Sequence, residues 1–399
     1  MTERLYYTDP YLVEFDAAVV GVEASPPERP DAVGVVLDRT AFYPTSGGQP
    51  FDVGTLGAAR VVEVVDRDGG GIVHLVDGDP GAGVVHGTID WTRRFDHMQQ
   101  HTGQHVLSAA FDHLLQVRTV SFHLGAESAT IDLSREVSVA EIAGAEAEAN
   151  RVVWEDRPVS VRFADAADAA ALPLRKESKR DGVLRIIDVD GFDVSACGGT
   201  HVARTGAIGI IAVAGSERFR GGTRLEFVCG GRALSAYRAL RDTVAASVRL
   251  LSVLPADLPA AIERMQADAK TAKRDLKDLQ TALAAYRASE LAQEAETLNG
   301  ARVVIAAIDG ADANGLKAMA AQIVSRPGHA AILLSAPPPC AIVVARAADV
   351  TLDSGAILKQ LVGRFGGKGG GKPELAQGGG LLGDLDAMRA AARQATTGA

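Results

Sequence analysis

Arg94-Phe95-Asp96-His97-Met98-Gln99-Gln100-His101-Thr102-Gly103-Gln104-His105-Val106-Leu107-Ser108-Ala109-Ala110-Phe111-Asp112-His113-Leu114-Leu115 reads as a helix and separates two kinds of sequence. Before it, β-rich runs at 12–22, 33–38, 60–66, 72–76 and 84–91 alternate with Gly, Pro and Asp turns, a spacing that predicts a small β-barrel over residues 1–91. After it, strand patterns at 128–133, 159–163, 184–190, 208–214 and 224–228 mix with helices at 139–154 and 233–254, predicting an α+β domain over 92–254. Pro255 and Pro259 then punctuate the chain. Beyond them Leu258, Ile262, Met265, Ala269, Ala272, Leu276, Leu279, Leu283 and Tyr286 recur in steps of four and three, the a/d spacing of a coiled coil. The segment 255–299 is therefore a long helix, running from 257 to 298 over roughly 60 Å and packing on a partner helix or a second copy of the chain. Asn299-Gly300 ends it, and strands at 302–308, 330–334 and 341–345 alternate with helices at 313–325 and 354–365 in a separate α/β domain over 300–399. The fold class is α+β.

A chain of 399 residues with 47% hydrophobic and 23% charged residues buries real cores, which excludes wholesale disorder and low-complexity classes. Cys197, Cys229 and Cys340 are too few and too scattered for a disulfide framework and point to a reducing compartment. The first fifteen residues carry Glu3, Asp9 and Glu14 with neither a basic start nor an apolar core, so the expectation is a cytoplasmic chain without a signal peptide. The most apolar tract, 330–345, is interrupted by Pro337, Pro338 and Pro339 and falls short of the ~20 residues that a membrane span requires. A net charge of -9 provides no global attraction to a polyanion, so any nucleic-acid contact rests on local clusters. These are Arg93-Arg94, the run from Arg175 through Lys176, Glu177, Ser178 and Lys179 to Arg180, then Arg218, Arg220 and Arg224, and Lys368 with Lys372. Read alone, each is a solvated basic face.

His101 and His105 lie four residues apart on one helix face and can share a metal ion, but His97 is also four residues from His101, and periodicity does not choose between the pairs. Cys197-Gly198-Gly199-Thr200-His201 supplies a thiolate and an imidazole around two glycines that allow both to fold back onto one ion. A mixed set of imidazoles and a thiolate suits Zn²⁺. A zincin protease needs Glu after the first His, where this chain has Thr102, and a nucleobase deaminase needs His-x-Glu with Pro-Cys-x-x-Cys, which is missing. A closed structural zinc site stays open as an alternative. In Thr40-Ala41-Phe42-Tyr43-Pro44-Thr45-Ser46-Gly47-Gly48-Gln49-Pro50, the glycines Gly47 and Gly48 let a ligand approach the backbone, and Thr40, Ser46 and Gln49 offer neutral hydrogen bonds. The string from Gly366 to Pro373, with Lys368, Gly369, Gly370 and Lys372, reads as a folded loop suited to phosphate.

On these motifs, taken in order and with the 224–231 segment and the later Gly378-Gly379-Gly380, the chain resembles the freestanding alanyl-tRNA editing proteins. The match is to the long form of the AlaX group, which keeps the C-terminal domain of alanyl-tRNA synthetase. Threonyl-tRNA synthetase editing domains share the zinc pairs; the Gly-Gly-Gln loop and the glycine string favour the alanyl branch. The resemblance implies a trans-editing aminoacyl-tRNA deacylase that hydrolyses the ester of serine, or of glycine, on tRNA specific for alanine. It implies one Zn²⁺ per chain at His101, His105, Cys197 and His201, with Thr40 reading the seryl hydroxyl beside Gly47, Gly48 and Gln49. It further implies that the C-terminal domain, resembling the second domain of DHH phosphoesterases without an Asp-His-His motif, holds the tRNA through Lys368, Lys372, Gly369 and Gly370, with Arg93 on the editing domain. The heptad helix 258–286 and the C-terminal domain suggest a homodimer, and an intramolecular helical hairpin fits the pattern equally well. With the barrel beginning near Tyr11, the expectation is a chain without the synthetase's aminoacylation domain. Two rival readings remain: a zinc-stabilised tRNA-binding module without catalysis, and a zinc hydrolase of small aminoacyl esters.

Overall fold

The β-rich runs before Trp91 close on themselves in the computed structural model, which describes residues 1–24, 29, 32–67, 69–165, 168, 171–175 and 182–398. β1 (Glu3–Arg4) pairs in parallel with β4 (Arg39–Thr40). β2 (Glu14–Glu23), β3 (Val33–Leu37), β7 (Ile72–Asp77), β6 (Ala59–Asp66), β5 (Gly54–Leu56) and β8 (Val84–Ile89) form a closed barrel in that order. Alternate residues of β2 and β8 point inward, and the interior is filled by Phe15, Val35, Leu37, Phe42, Leu56, Val61 and Ile89. Closure satisfies every strand edge. The short β5 lies outside all the runs expected from sequence, because three residues are too few to show a period.

α1 (Trp91–Leu115) starts three residues earlier than expected because Asp90 caps it, accepting from the Arg93 amide. It is buried on all sides: Arg94 and every residue from His97 to Phe111 are shielded from solvent. The reason is its place in a core shared with α2 (Val139–Trp154) and the sheet β14 (Ile211–Phe219), β15 (Gly222–Cys229), β10 (Ala129–Leu133) and β9 (Thr119–Leu124). Burying a side chain such as Phe111 contributes roughly 1.5–3 kcal/mol. The polar residues of α1 are bonded rather than solvated. Gln100 exchanges two bonds with the Cys229 backbone at 2.8 and 3.1 Å, and Gln99 donates to the Ala207 carbonyl at 2.9 Å. A second sheet, β11 (Val159–Ala164), β12 (Leu184–Val189) and β13 (Asp193–Ala196), lies in the same unit, Met1–Ala246. Segment 208–214, expected as a strand, begins with a 3-10 turn at Thr205–Ile208 before β14.

α3 (Gly230–Leu251) leads into the second unit, Ser247–Ala399, in which α4 (Leu258–Gln293) is the long helix. Its heptad side chains are exposed, Leu276 at 57%, Leu279 at 68% and Tyr286 at 65%, and only Ala284, Ala288 and Ala292 near its end are buried with Ala261. The helix stops five residues before the expected 298, and residues Glu296–Leu298 form β16, paired antiparallel with β17 (Ala301–Asp309). Asn299 at φ 46° and Gly300 at φ 80° make the hairpin turn that both residues favour, so this dipeptide closes a hairpin rather than a helix.

The sheet runs β16, β17, β18 (His329–Ala336), β19 (Cys340–Arg346), β21 (Leu375–Leu381) and β20 (Lys368–Lys372). Only β17 and β18 are parallel, joined by the crossover helix α5 (Ala313–Val324). Along β18, Ala330, Ile332 and Leu334 enter the core under α6 (Ser354–Phe365) and α7 (Leu385–Thr397). Ala331 and Leu333 enter the core under α5 and the end of α4. The glycine string, expected as a folded loop, is instead the hairpin β20–β21 at the sheet edge. Close backbone approach requires glycine there: a Cβ on Gly369 would lie 2.6 Å from the Gly378 Cα and 3.1 Å from a Leu358 methyl of α6. Among the described residues no single helix is long and apolar enough to cross a membrane.

Candidate metal centre

His101 and His105 face the same side of α1, and β13 delivers Cys197 to them from 96 residues away. The following turn, closed by the Gly199 amide on Cys197 Sγ at 3.4 Å, returns His201 to the group. Cys197 Sγ lies 3.3 Å from His101 Nε2 and 3.4 Å from His201 Nε2, and the four ligand atoms all fall within 4.8 Å of one another. Tetrahedral zinc with bonds of about 2.0–2.3 Å separates neighbouring ligand atoms by about 3.5 Å, so the donor set fits. His97, one turn earlier, is excluded from the cluster; it is buried, its Nδ1 has no partner among the described residues, and burial with the nearby Arg93 pushes its pKa to about 4.

Each imidazole is fixed through its other nitrogen. His101 Nδ1 meets Gln49 Oε1 at 2.8 Å, His105 Nδ1 meets Asp193 Oδ2 at 3.0 Å, and His201 Nδ1 meets Thr102 Oγ1 at 3.2 Å. That leaves every Nε2 for the centre, the usual outer arrangement of metal-bound histidine. Burial opposes a charged His201, and with His101 beside it the pKa falls to about 3. Burial also opposes a Cys197 thiolate, yet the imidazoles of His101 and His201 hold the thiol well below its usual range. Burial works against a charged His105 as well, and the Asp193 carboxylate outweighs it, raising that imidazole to about 9. Asp193 is itself fully buried, held below the usual carboxylate range by His105 and by Arg175, whose Nε lies 2.7 Å from Oδ1.

Gly199 admits the close packing of this turn. A Cβ there would lie 2.1 Å from His101 Cε1 and 3.0 Å from Gln49 Oε1. Gln49 is buried and bonded through both its amide oxygen and its amide nitrogen: Oε1 also accepts the Thr200 amide at 3.1 Å and Nε2 donates to Thr200 Oγ1 at 2.8 Å. Its side chain orients a ligand and the metal turn. Thr40 is also fully buried, with Oγ1 2.8 Å from His74 Nε2 and accepting the Phe42 amide at 3.0 Å inside the barrel wall.

A cavity of about 720 Å³ opens beside the centre, reached by His105 and Cys197. Gly47 and Gly48 line it, as do Gln104, Ser121, Phe122, Phe163, Arg175 and Arg185. Arg93 is half-buried, donating to the Phe51 carbonyl at 2.9 Å, while Arg94 is wholly buried on Asp52, with Nε 3.0 Å from Oδ2, and is no surface cation. Arg224 is paired with Asp132 at 2.7 Å and stacked over Phe219. Residues 176–180 of the basic run lie outside the described residues. Lys368, Gly369, Gly370 and Lys372 are exposed on the edge strand β20 of the other unit. Sequence reasoning missed Asp193, Gln104 and Arg185; the signal for Asp193 was its place four residues before Cys197 in an extended segment, which puts both on one face.

Residues 184–226 match the Threonyl and Alanyl tRNA synthetase second additional domain, and residues 300–398 match the DHHA1 domain. The chain is 34% identical to the alanyl-tRNA editing protein AlaX-L of Pyrococcus horikoshii, over 95% of this chain and 94% of that protein. It belongs to this family of alanyl-tRNA editing proteins. It is also 35% identical to the alanine–tRNA ligase of Natronomonas pharaonis over 97% of this chain, and spans 42% of that ligase's length.

Proposed function

We propose that the chain is a trans-editing deacylase that hydrolyses the ester of serine, and of glycine, wrongly attached to tRNA for alanine. The observation that carries this reading is the cluster of His101, His105, Cys197 and His201 at the wall of a cavity of about 720 Å³. One Zn²⁺ per chain suits these donors, and when bound it supplies Lewis acidity beside an ester carbonyl. The chain's residues hold the ligands through Gln49, Asp193 and Thr102, bind the aminoacyl end in the cavity and exclude bulk water from it.

Selectivity has a physical basis in the lining. An apolar synthetase pocket rejects serine against alanine by only about a hundredfold, whereas a site that hydrogen-bonds the hydroxyl can discriminate by ~10⁴. Gln104 is the best reader: it is 2% exposed, lines the cavity and carries an Oε1 without a partner among the described residues. Gly47 and Gly48 let the substrate approach the backbone. Lys368, Lys372, Gly369, Gly370 and Arg93 would grip the tRNA, and the exposed heptad side chains of 258–286, with the C-terminal domain, would join two copies of the chain. The three free cysteines suit a reducing cytoplasm.

The test is deacylation of alanine tRNA charged with serine, glycine or alanine, by zinc-loaded and metal-stripped protein. The expected result is seryl-selective hydrolysis that returns with zinc. A folded, zinc-loaded protein that binds the tRNA and leaves every ester intact would instead establish a zinc-stabilised binding module.

A further inference from the structure

Arg185 lies on β12 opposite Phe163 of β11, and both side chains line the cavity beside the metal centre. Arg185 is only 7% exposed, and one nitrogen of its guanidinium serves the metal turn while a second serves the N-terminal segment. Nη1 donates to the carbonyls of Cys197 and Gly199, each at 2.8 Å, and Nε donates to the Tyr7 carbonyl at 3.0 Å. Nη2 has neither a partner among the described residues nor contact with solvent. Buried donors are almost always bonded, and one left unbonded costs roughly 1–3 kcal/mol, more when charged. A second guanidinium lining the cavity, Arg175, is neutralised by Asp193 at 2.7 Å, whereas the hydrogen bonds of Arg185 to Tyr7, Cys197 and Gly199 all go to neutral carbonyl oxygens. A buried cation of this kind is stable where an anionic oxygen arrives to complete it. Across the strand pair, Phe163 is 50% exposed, a ring open to stack on a base. An aminoacyl-adenosine whose base stacks there and whose amino acid reaches the metal turn brings its ester past Arg185.

We propose that Arg185 is a catalytic residue whose Nη2 donates to the carbonyl oxygen of the scissile ester. The proposal rests on the deacylase reading. Water adds to the carbonyl carbon, and the π pair of the carbonyl moves onto its oxygen, where Arg185 meets the negative charge. On collapse that pair re-forms the double bond and the bond to the ribose oxygen breaks. That oxygen takes a proton from the added water, and the amino acid leaves with its carboxyl group. Nη2 makes this bond as charge develops, and the guanidinium is already held in place by Nη1 on the two carbonyls of the turn, the condition under which one donor is worth about 10²–10³ in rate.

The experiment measures single-turnover deacylation of seryl-tRNA for the full-length zinc-loaded protein, R185M and R185K. It also measures the Kd for a non-hydrolysable amide-linked seryl-tRNA, zinc content and thermal midpoint. The expected result is a 10²–10³-fold slower step in R185M with Kd within threefold and one zinc retained, and a smaller loss in R185K. An unchanged rate in R185M overturns the proposal. So does a loss that appears wholly in Kd, which would assign Arg185 to a phosphate of the tRNA. Loss of zinc in both variants would make it a structural support of the Cys197 turn. If R185M fails to fold, R185K decides: an unchanged rate with normal Kd and zinc content refutes the role. A wild-type protein that leaves every aminoacyl ester intact refutes the deacylase reading itself, whereas an active wild type with an equally active R185M refutes only Arg185.

Discussion

Gly199→Ala is the sharpest perturbation of the metal centre, because it adds one methyl group at a known distance. The new Cβ would sit 2.1 Å from His101 Cε1 and 2.3 Å from Nδ1, more than 1 Å inside ordinary contact. Neither side can retreat freely. His101 stands on the fully buried α1 and is bonded to Gln49, and the turn is tied by the Thr200 amide to Gln49 and by the Gly199 carbonyl to Arg185. A metal ligand tolerates about 0.2 Å of displacement, so a shift of this size removes His101 from the donor set. Loss of an outer partner alone costs about 10–100-fold in metal affinity, so displacement of a ligand costs at least 100-fold, or about 2.8 kcal/mol at ~1.4 kcal/mol per tenfold. The assay is chelator competition for zinc, with the thermal midpoint measured before and after metal loading. Gly144→Ala is the control: no atom lies within 4 Å of the added Cβ in α2, and a stabilisation of roughly 0.5–1 kcal/mol is expected. Zinc affinity within threefold of wild type in G199A, with an equal rise in midpoint on loading, would refute the placement of His101 against this turn.

Asp193→Asn removes the charge that His105 and Arg175 share, and zinc affinity should fall about 10–100-fold while the barrel's stability is unchanged; chelator competition checks it. Burial lowers the pKa of His74 from 6.5 to about 4, so the folded barrel favours the neutral imidazole. Its contribution to stability is therefore complete above pH 6.5 and is lost as the pH falls towards 4. The loss amounts to about 3 kcal/mol, and denaturant midpoints of wild type and H74Q between pH 7 and 4.5 should diverge accordingly. Thr40→Val should cost about 1–2 kcal/mol through the lost bonds to His74 and Phe42 and leave the ratio of seryl to alanyl hydrolysis near wild type, whereas Gln104→Leu should lower that ratio at least tenfold. A ratio that collapses in T40V and survives in Q104L would return the reader's role to Thr40.

The strand runs of the barrel, the span Val139–Trp154 of α2 and the two ligand motifs were legible because each rests on local information. Alternation, a Ser138–Glu141 capping box and two spacings of four residues are all properties of adjacent positions. Local rules identify α1 as a helix and leave its burial undetermined, since its polar residues are enclosed by bonds such as those of Gln100 to the Cys229 backbone. The same rules misread Asn299-Gly300 and the glycine string, where the pairing strand, outside the local window, decides between a helix end, a loop and a hairpin.

The roles of individual polar groups were decided only by the tertiary structure. Thr40 and Gln49 belong to one motif and share the same hydrogen-bonding chemistry, yet one closes on His74 and the other crosses 151 residues to Thr200. Asp193 and Arg185 carry no motif and Gln104 is an unspecified position within one; Asp193 is distinguished by its bonds to His105 and Arg175, and the other two by an atom left without a partner among the described residues. The sequence by itself determined which residue types were available and the period at which each element presents them. Whether a given oxygen or nitrogen orients a ligand or waits for a substrate depends on burial and long-range pairing, which come into being only when the chain closes on itself.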